Sequence, residues 1–118
     1  DPSQVCTLKH LYKGQEYFHR YSDKQIESLK ALLILLSERH GIDLQVGVID
    51  EIKKLGGGVA PYGVAKGPNP QNFTRAFDFS DAACSGKVMG LLTHGQVRVD
   101  KDDVQPQEEL INMLLTLN

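Results

Sequence analysis

The pattern of apolar residues predicts one long helix most clearly, over residues 22–41. Ser22 is a suitable N-cap, and Gln25 three residues later completes a capping box. Gly41 can adopt the left-handed conformation that commonly ends a helix. Between these ends the apolar positions recur at helical spacing: Ile26, Leu29, Leu32, Leu33, Leu35 and Leu36. We therefore expect a helix with a broad apolar face buried against a sheet.

Shorter patterns predict further elements before and after this helix. Residues 3–11 alternate loosely, which favours a strand with Val5, Thr7, Lys9 and Leu11 on one side. Residues 88–93 form an apolar run typical of a buried strand. Residues 42–48 fit either a short strand or an extended connection, and residues 50–55 fit a short helical turn. Pro106 can open a final helix with three leucines facing inward: Leu110, Leu114 and Leu117.

The middle of the chain, residues 56–87, is predicted to be an irregular insertion whose first half is rich in Gly and Pro. The run GGGVAPYGVAKGPNP lacks the Gly-Lys-Ser/Thr ending of a phosphate-binding loop, which favours a surface excursion. Such a long loop either lines a groove or is a flexible insertion without a role. Three aromatic residues are expected to pin its return to the core: Phe73, Phe77 and Phe79.

The composition narrows the class of protein. At 118 residues, with 41% hydrophobic and 24% charged residues, the chain is typical of a single soluble globular domain over residues 1–118. A net charge of −2 gives no general attraction to nucleic acid. No apolar run approaches the roughly 20 residues that span a bilayer. Cys6 and Cys84 lie far apart and either pair or serve as small apolar residues.

The residues with the most suggestive chemistry follow the apolar run at 88–93. His94, Lys101 and Asp103 lie within ten residues of one another. An imidazole and a carboxylate can bind zinc, and an ammonium can stabilise a developing oxyanion. Charged runs of this kind are more commonly solvated loops, and this alternative stays open from the residue types alone.

The order of these residues resembles zinc-dependent N-acetylmuramoyl-L-alanine amidases, which include phage lysozyme-type amidases and share their fold with peptidoglycan recognition proteins. His94 after an expected strand, then Lys101 and Asp103 two residues apart and Pro106, resembles the end of that family's active site. The helix that begins Tyr-Ser-Asp-Lys-Gln-Ile resembles the family's Tyr-Thr-x-x-Gln helix. Asp-Pro-Ser at the start, followed by a strand, resembles the segment before that helix. The similarity covers residues 1–42 and 88–118.

The resemblance implies an α/β fold with a central mixed β-sheet flanked by helices. It implies hydrolysis of the amide between N-acetylmuramic acid and L-alanine of the peptidoglycan stem peptide. His94 and Asp103 would bind Zn²⁺, and Lys101 would stabilise the tetrahedral oxyanion. Tyr62 and the glycine-rich loop around it would form a wall of the substrate groove.

The family also takes a first zinc histidine from an earlier strand, and no such motif is present in this chain. The resemblance therefore implies that the chain is the C-terminal part of an amidase domain, with an N-terminal segment or a separate chain supplying that ligand. His10, His19 and His40 are weaker candidates for the role. Such a protein would act on the bacterial cell wall and would be phage-encoded, released at lysis or carried on the virion. The alternatives are a non-catalytic peptidoglycan-binding module and a structural phage or assembly protein.

Overall fold

A two-stranded antiparallel hairpin opens the chain in the computed structural model, which describes residues 2–56 and 73–117. A short 3₁₀ turn at Pro2–Gln4 leads into β1 (Val5–Tyr12), and β2 (Gln15–His19) returns beside it. Residues 13 and 14 both have positive φ, as a two-residue hairpin turn requires. The strand predicted over residues 3–11 is confirmed. Its alternation places Cys6 and Leu8 in the core, while Val5, Thr7 and Leu11 are exposed.

The long helix α1 (Asp23–His40) has the ends that its sequence predicts. The Ser22 hydroxyl accepts from the Gln25 N–H at 3.1 Å, and the Gln25 side chain accepts from the Ser22 N–H at 2.7 Å. Gly41 takes φ 65° and donates its N–H to the Ser37 carbonyl at 2.9 Å. These local contacts satisfy backbone groups that the helix leaves unpaired at each end.

The expectation that α1 buries a broad face against a sheet is wrong. Leu33 is the residue of this helix that is fully buried, and Ile26 and Leu29 pack against the core from partly buried positions. Leu32 and Leu35 keep 48% and 47% of their surface exposed. The main packing partner of α1 is the C-terminal helix α5 (Glu108–Leu114), so the buried strip of α1 is narrow.

The core forms where the hairpin meets helices from the middle and the end of the chain. Helix α2 (Val48–Gly56), a 3₁₀ helix at Phe73–Phe77 and helix α5 (Glu108–Leu114) supply its centre. The most deeply buried side chains include Tyr12, Ile49, Ile52, Phe77 and Ile111. The expected helical turn at 50–55 and the inward leucines of the last helix, Leu110, Leu114 and Leu117, are confirmed.

The strand expected over residues 88–93 is wrong. Leu91 forms one isolated parallel bridge with Gly47, and Met89 is 79% exposed. Two glycines permit this contact between backbones: a Cβ on Gly90 would lie 2.2 Å from the Val46 carbonyl oxygen, and a Cβ on Gly47 would lie 2.1 Å from that of Leu91. The hydrogen bonding between these two segments does not continue beyond this bridge, so residues 88–93 are not a strand.

The chain is thus mixed α/β, as expected, but the sheet of its described residues is a two-stranded antiparallel hairpin and not a central mixed sheet. Within residues 56–87, the described part contains the 3₁₀ helix at Phe73–Phe77 and a short helix α3 (Asp81–Cys84). Phe73 and Phe77 are buried, whereas Phe79 is 37% exposed. Residues 57–72, including Tyr62, lie outside the described residues.

The two cysteines, which could either pair or serve as small apolar residues, do not form a disulfide. Cys6 is buried and Cys84 is exposed, and both are free thiols. Among the described residues, every helix is too short or too polar to cross a bilayer.

Replacing Phe77 by alanine is expected to lower the free energy of unfolding by about 3–5 kcal/mol, because its ring is fully buried. Phe79→Ala is the matched control and is expected to cost less than half as much. Urea unfolding followed by circular dichroism measures both. Phe77→Leu, expected to cost at most about 1.5 kcal/mol, preserves the comparison if the alanine variant does not fold. Equal losses at the two phenylalanines would contradict this packing.

Replacing Ser22 by alanine is expected to lower the free energy of unfolding by about 1 kcal/mol, because the capping box loses its hydroxyl acceptor. Ser28→Ala, at an exposed position inside α1, is the control and is expected to be neutral or slightly stabilising. The same urea titration compares them. A loss at Ser28 as large as that at Ser22 would show that the cap is not what stabilises the helix start.

Candidate functional site

His94 is the first residue of a short helix, α4 (His94–Val97), rather than the last residue of a strand. Thr93 is the N-cap: its hydroxyl accepts from the Gln96 N–H at 3.3 Å, and the Gln96 side chain accepts from the Thr93 N–H at 2.8 Å. Both capping side chains are buried. Because these side chains fix the start of α4, the position of the His94 backbone is fixed as well. Thr-x-x-Gln is the same capping signature as at α1, and it was available in the sequence.

Residues at the end of β1 and in the hairpin turn pack against α4 and form hydrogen bonds to it and to the loop that follows. A Cβ on Gly95 would lie 2.2 Å from the Tyr12 hydroxyl, so only glycine permits this approach. The Tyr12 hydroxyl donates to the Phe77 carbonyl at 3.4 Å. The Lys13 ammonium donates to the Gly95 carbonyl at 3.4 Å and to that of Val99 at 3.2 Å. The hairpin turn is therefore tied to both ends of the segment that follows His94.

The imidazole of His94 meets the carboxylate of Asp103. His94 Nδ1 lies 3.0 Å from Asp103 Oδ1 and 3.2 Å from Oδ2. The two side chains are 41% and 69% exposed, so the pair faces solvent. The hydrogen bond from His94 is the main cause that lowers the pKa of Asp103, and the nearby Lys101 charge adds to it. Asp103 is therefore an ionised acceptor, and Nδ1 carries the proton that it receives.

Lys101 lies in the same loop, between the two members of this pair in sequence. Its backbone N–H donates to the Arg98 carbonyl at 3.4 Å. Arg98 binds both carboxylate oxygens of Asp100 at 3.1 Å, which neutralises those two charges. Among the ion pairs of the described residues, Lys101 forms none. The half-buried Lys101 side chain is close enough to Asp103 for its charge to help lower the pKa of that carboxyl.

A polar network holds the other side of this loop. The Tyr21 hydroxyl accepts from the Gln105 N–H at 2.8 Å and donates to the Gln105 side-chain oxygen at 2.9 Å. Burial raises the pKa of Tyr21, and the Asp103 charge adds to that effect. Gln107, fully buried, donates to the His19 carbonyl at 2.9 Å. The sequence alone assigned Gln105 and Gln107 no functional role, because no local pattern links them to residues 84 and 88 positions away.

Two side chains that could bind a metal, those of His94 and Asp103, are brought together, and the described side chains of His19 and His40 are placed elsewhere. In the parts of the chain that the structure describes, no group of three His, Cys, Asp or Glu side chains could hold a metal ion. The His19 ring contacts the Arg20 carbonyl at 3.2 Å, and His40 is exposed in the last turn of α1. The side chain of His10 lies outside the described residues.

A cavity of about 330 Å³ adjoins α4 through Gln96. Its lining combines apolar and charged side chains, among them Phe79, Arg75 and Asp78. Burial raises the pKa of Asp78, while the charges of Lys13 and Arg75 oppose that shift. The cavity has room for part of a small polar ligand. Tyr62, the expected groove residue, is outside the described residues.

The candidate site is therefore a solvent-facing arrangement of His94, Lys101 and Asp103 on a loop held by Tyr12, Lys13 and Tyr21. It combines an imidazole, a carboxylate and an ammonium group in one loop. Comparison with known protein families, with curated proteins and with solved structures finds no match for this chain.

Proposed function

We propose that this chain contributes to a zinc-dependent peptidoglycan amidase, which hydrolyses the amide between N-acetylmuramic acid and L-alanine of the stem peptide. The observation that carries the proposal is the contact of His94 Nδ1 with the Asp103 carboxylate at 3.0 Å, with Lys101 in the same loop. It agrees with the order of residues that resembles the amidase family.

The spacing of the two side chains fits a shared zinc ion. Ligand atoms bonded to zinc at about 2.1 Å in a tetrahedral arrangement lie about 3.4 Å apart. His94 Nδ1 and Asp103 Oδ2 are 3.2 Å apart, so a small adjustment would bring both to bonding distance. Zinc would then replace the proton between them, because metal ligands must be deprotonated. Catalytic zinc sites use three protein ligands, and the third would be the histidine that the resemblance places before this segment.

The contact between His94 and Asp103 is expected to contribute little to the stability of the fold. An exposed ion pair contributes about 0–1 kcal/mol, because water screens the charges and the side chains lose freedom. His94 and Asp103 are both solvent-facing. Yet each is placed by a buried capping box or polar network that fixes its backbone. Such support around an exposed pair favours a role in binding or catalysis.

Each residue has a role in the proposed hydrolysis. His94 and Asp103 would hold the zinc ion, which would supply Lewis acidity for activating water and the scissile carbonyl. The water oxygen bonds to the carbonyl carbon, the C–N bond then breaks, and the amine of L-alanine leaves with a proton. The Lys101 ammonium stabilises the oxyanion that forms at the carbonyl oxygen, an interaction that strengthens in the transition state. The cavity beside Gln96 would accept a neighbouring part of the substrate.

Zinc binding by His94 and Asp103 can be measured directly. Because this chain supplies two of the three proposed ligands, wild-type protein incubated with excess Zn²⁺ is expected to bind one equivalent weakly in a calorimetric titration, and His94→Ala and Asp103→Ala are each expected to abolish that binding. Asp100→Asn is the matched control, because Asp100 lies in the same loop but pairs with Arg98. It is expected to keep its zinc.

Two results would contradict the zinc site. One is wild-type protein without zinc after incubation with the metal, and the other is zinc that survives both substitutions. If the wild-type protein binds no zinc but still binds purified cell walls without cleaving them, a non-catalytic peptidoglycan-binding module would be favoured. Neither binding nor cleavage would favour a structural protein.

Lys101→Ala tests the oxyanion role. The variant is expected to keep its zinc and to lose about 100- to 1000-fold in kcat, because one oxyanion donor is removed. The measurement is the appearance of L-alanine amino termini from purified peptidoglycan. Lys87→Ala, at an exposed lysine outside this loop, is the control. Activity unchanged by the loss of Lys101 would exclude its role in the reaction.

A further inference from the structure

The residue directly after Asp103 has a strained backbone. Val104 has φ 104°, a value that β-branched residues rarely adopt, because the Cβ substituents collide with the backbone. Such a conformation costs about 1–3 kcal/mol and persists only when the surroundings impose it. Val104 is itself 38% exposed, so core packing of its own side chain does not impose it.

Gln105 fixes the chain on both sides of Val104. Its N–H donates to the Tyr21 hydroxyl at 2.8 Å, and its side-chain oxygen accepts from the same hydroxyl at 2.9 Å. Its side-chain amide donates back to the Asp102 carbonyl at 3.0 Å. Residues 102 and 105 are therefore held together, and Val104 lies within the closed loop that results.

Gln107 anchors this loop to the start of α1. Its side-chain oxygen accepts from the Tyr21 N–H at 3.1 Å, and its amide donates to the His19 carbonyl at 2.9 Å and to the Gln105 side chain at 3.3 Å. Gln107 is fully buried, so these bonds are shielded from water. The network joins residues 102–107 to residues 19–21, next to the capped start of α1.

We infer that Tyr21 is a positioning residue: through Gln105 it holds Val104 at positive φ, and this directs the Asp103 carboxylate toward His94. The inference rests on the proposed function and extends it to a residue that contacts neither metal nor substrate. Without the hydroxyl, Val104 relaxes to negative φ. The peptide that joins it to Asp103 then rotates, and the carboxylate moves away from Nδ1. The exposed His94–Asp103 pair is too weak to prevent this by itself.

The experiment compares four proteins by their affinity for Co²⁺, titrated by visible absorption: wild type, Tyr21→Phe, Tyr17→Phe and Tyr21→Phe with Val104→Gly. Tyr21→Phe is expected to weaken binding about 10- to 100-fold, the usual effect of losing a group that orients a metal ligand. Tyr17→Phe removes an exposed hydroxyl from β2 and is expected to leave the affinity unchanged. Glycine adopts positive φ without strain, so the double variant is expected to recover most of the affinity.

Amide hydrogen exchange in the metal-free proteins gives an independent readout. The Gln105 amide is expected to exchange faster in Tyr21→Phe than in Tyr17→Phe, because its acceptor is gone. A merely structural role of Tyr21 would lower stability without recovery of metal affinity by Val104→Gly.

The outcomes separate the two proposals. Wild-type protein that binds no Co²⁺ would overturn the zinc site and this inference with it. Wild-type binding that Tyr21→Phe leaves unchanged, or a loss that Val104→Gly does not recover, would overturn the positioning role alone. Weaker binding in Tyr21→Phe with recovery in the double variant would support it.

Discussion

The structure depends most on the buried ring of Tyr12 at the end of β1. Its ring lies 6.3 Å from that of Phe18 and 6.4 Å from that of Phe77, and its hydroxyl reaches beneath Gly95. One side chain thereby joins the hairpin, the 3₁₀ helix and α4. Burial, with added effect from nearby carboxylates including Asp78, raises the pKa of Tyr12 to about 12. The hydroxyl therefore stays a neutral donor near neutral pH.

The candidate site next to Tyr12 is held by several contacts, each of which contributes only a small free energy. One capping box sets His94, the Tyr21 network sets the segment after Asp103, and Lys13 ties the intervening loop to the hairpin turn. The side chains of His94 and Asp103 face solvent, while the groups that place them are buried or partly buried. Rigid support beneath an accessible surface is the arrangement that metal and substrate binding need.

The sequence predicted the parts of the fold that local chemistry determines. The ends of α1 follow from Ser22, Gln25 and Gly41, and the inward face of α5 follows from the spacing of its leucines. Residues 88–93 failed as a strand because they form one isolated bridge, at Leu91, and an apolar run does not reveal whether a partner strand lies beside it. The broad burial expected for α1 failed because burial depends on what packs against a helix. His94, Lys101 and Asp103 were selected by resemblance, whereas Tyr21 and Gln105 needed the tertiary contact.

The close approach of residues 46–48 to residues 90–91, which Gly47 and Gly90 make possible, restricts how this protein can change over evolutionary time. The atoms that an added Cβ would meet first at both positions are carbonyl oxygens of the main chain. A neighbouring side chain can be shortened by a second mutation to accommodate an intruding group, but a carbonyl oxygen cannot. Substitutions at these glycines therefore lack simple second-site suppressors. The junction between α2 and the segment before α4 should be among the slowest parts of the chain to diverge, although it contributes no reactive group.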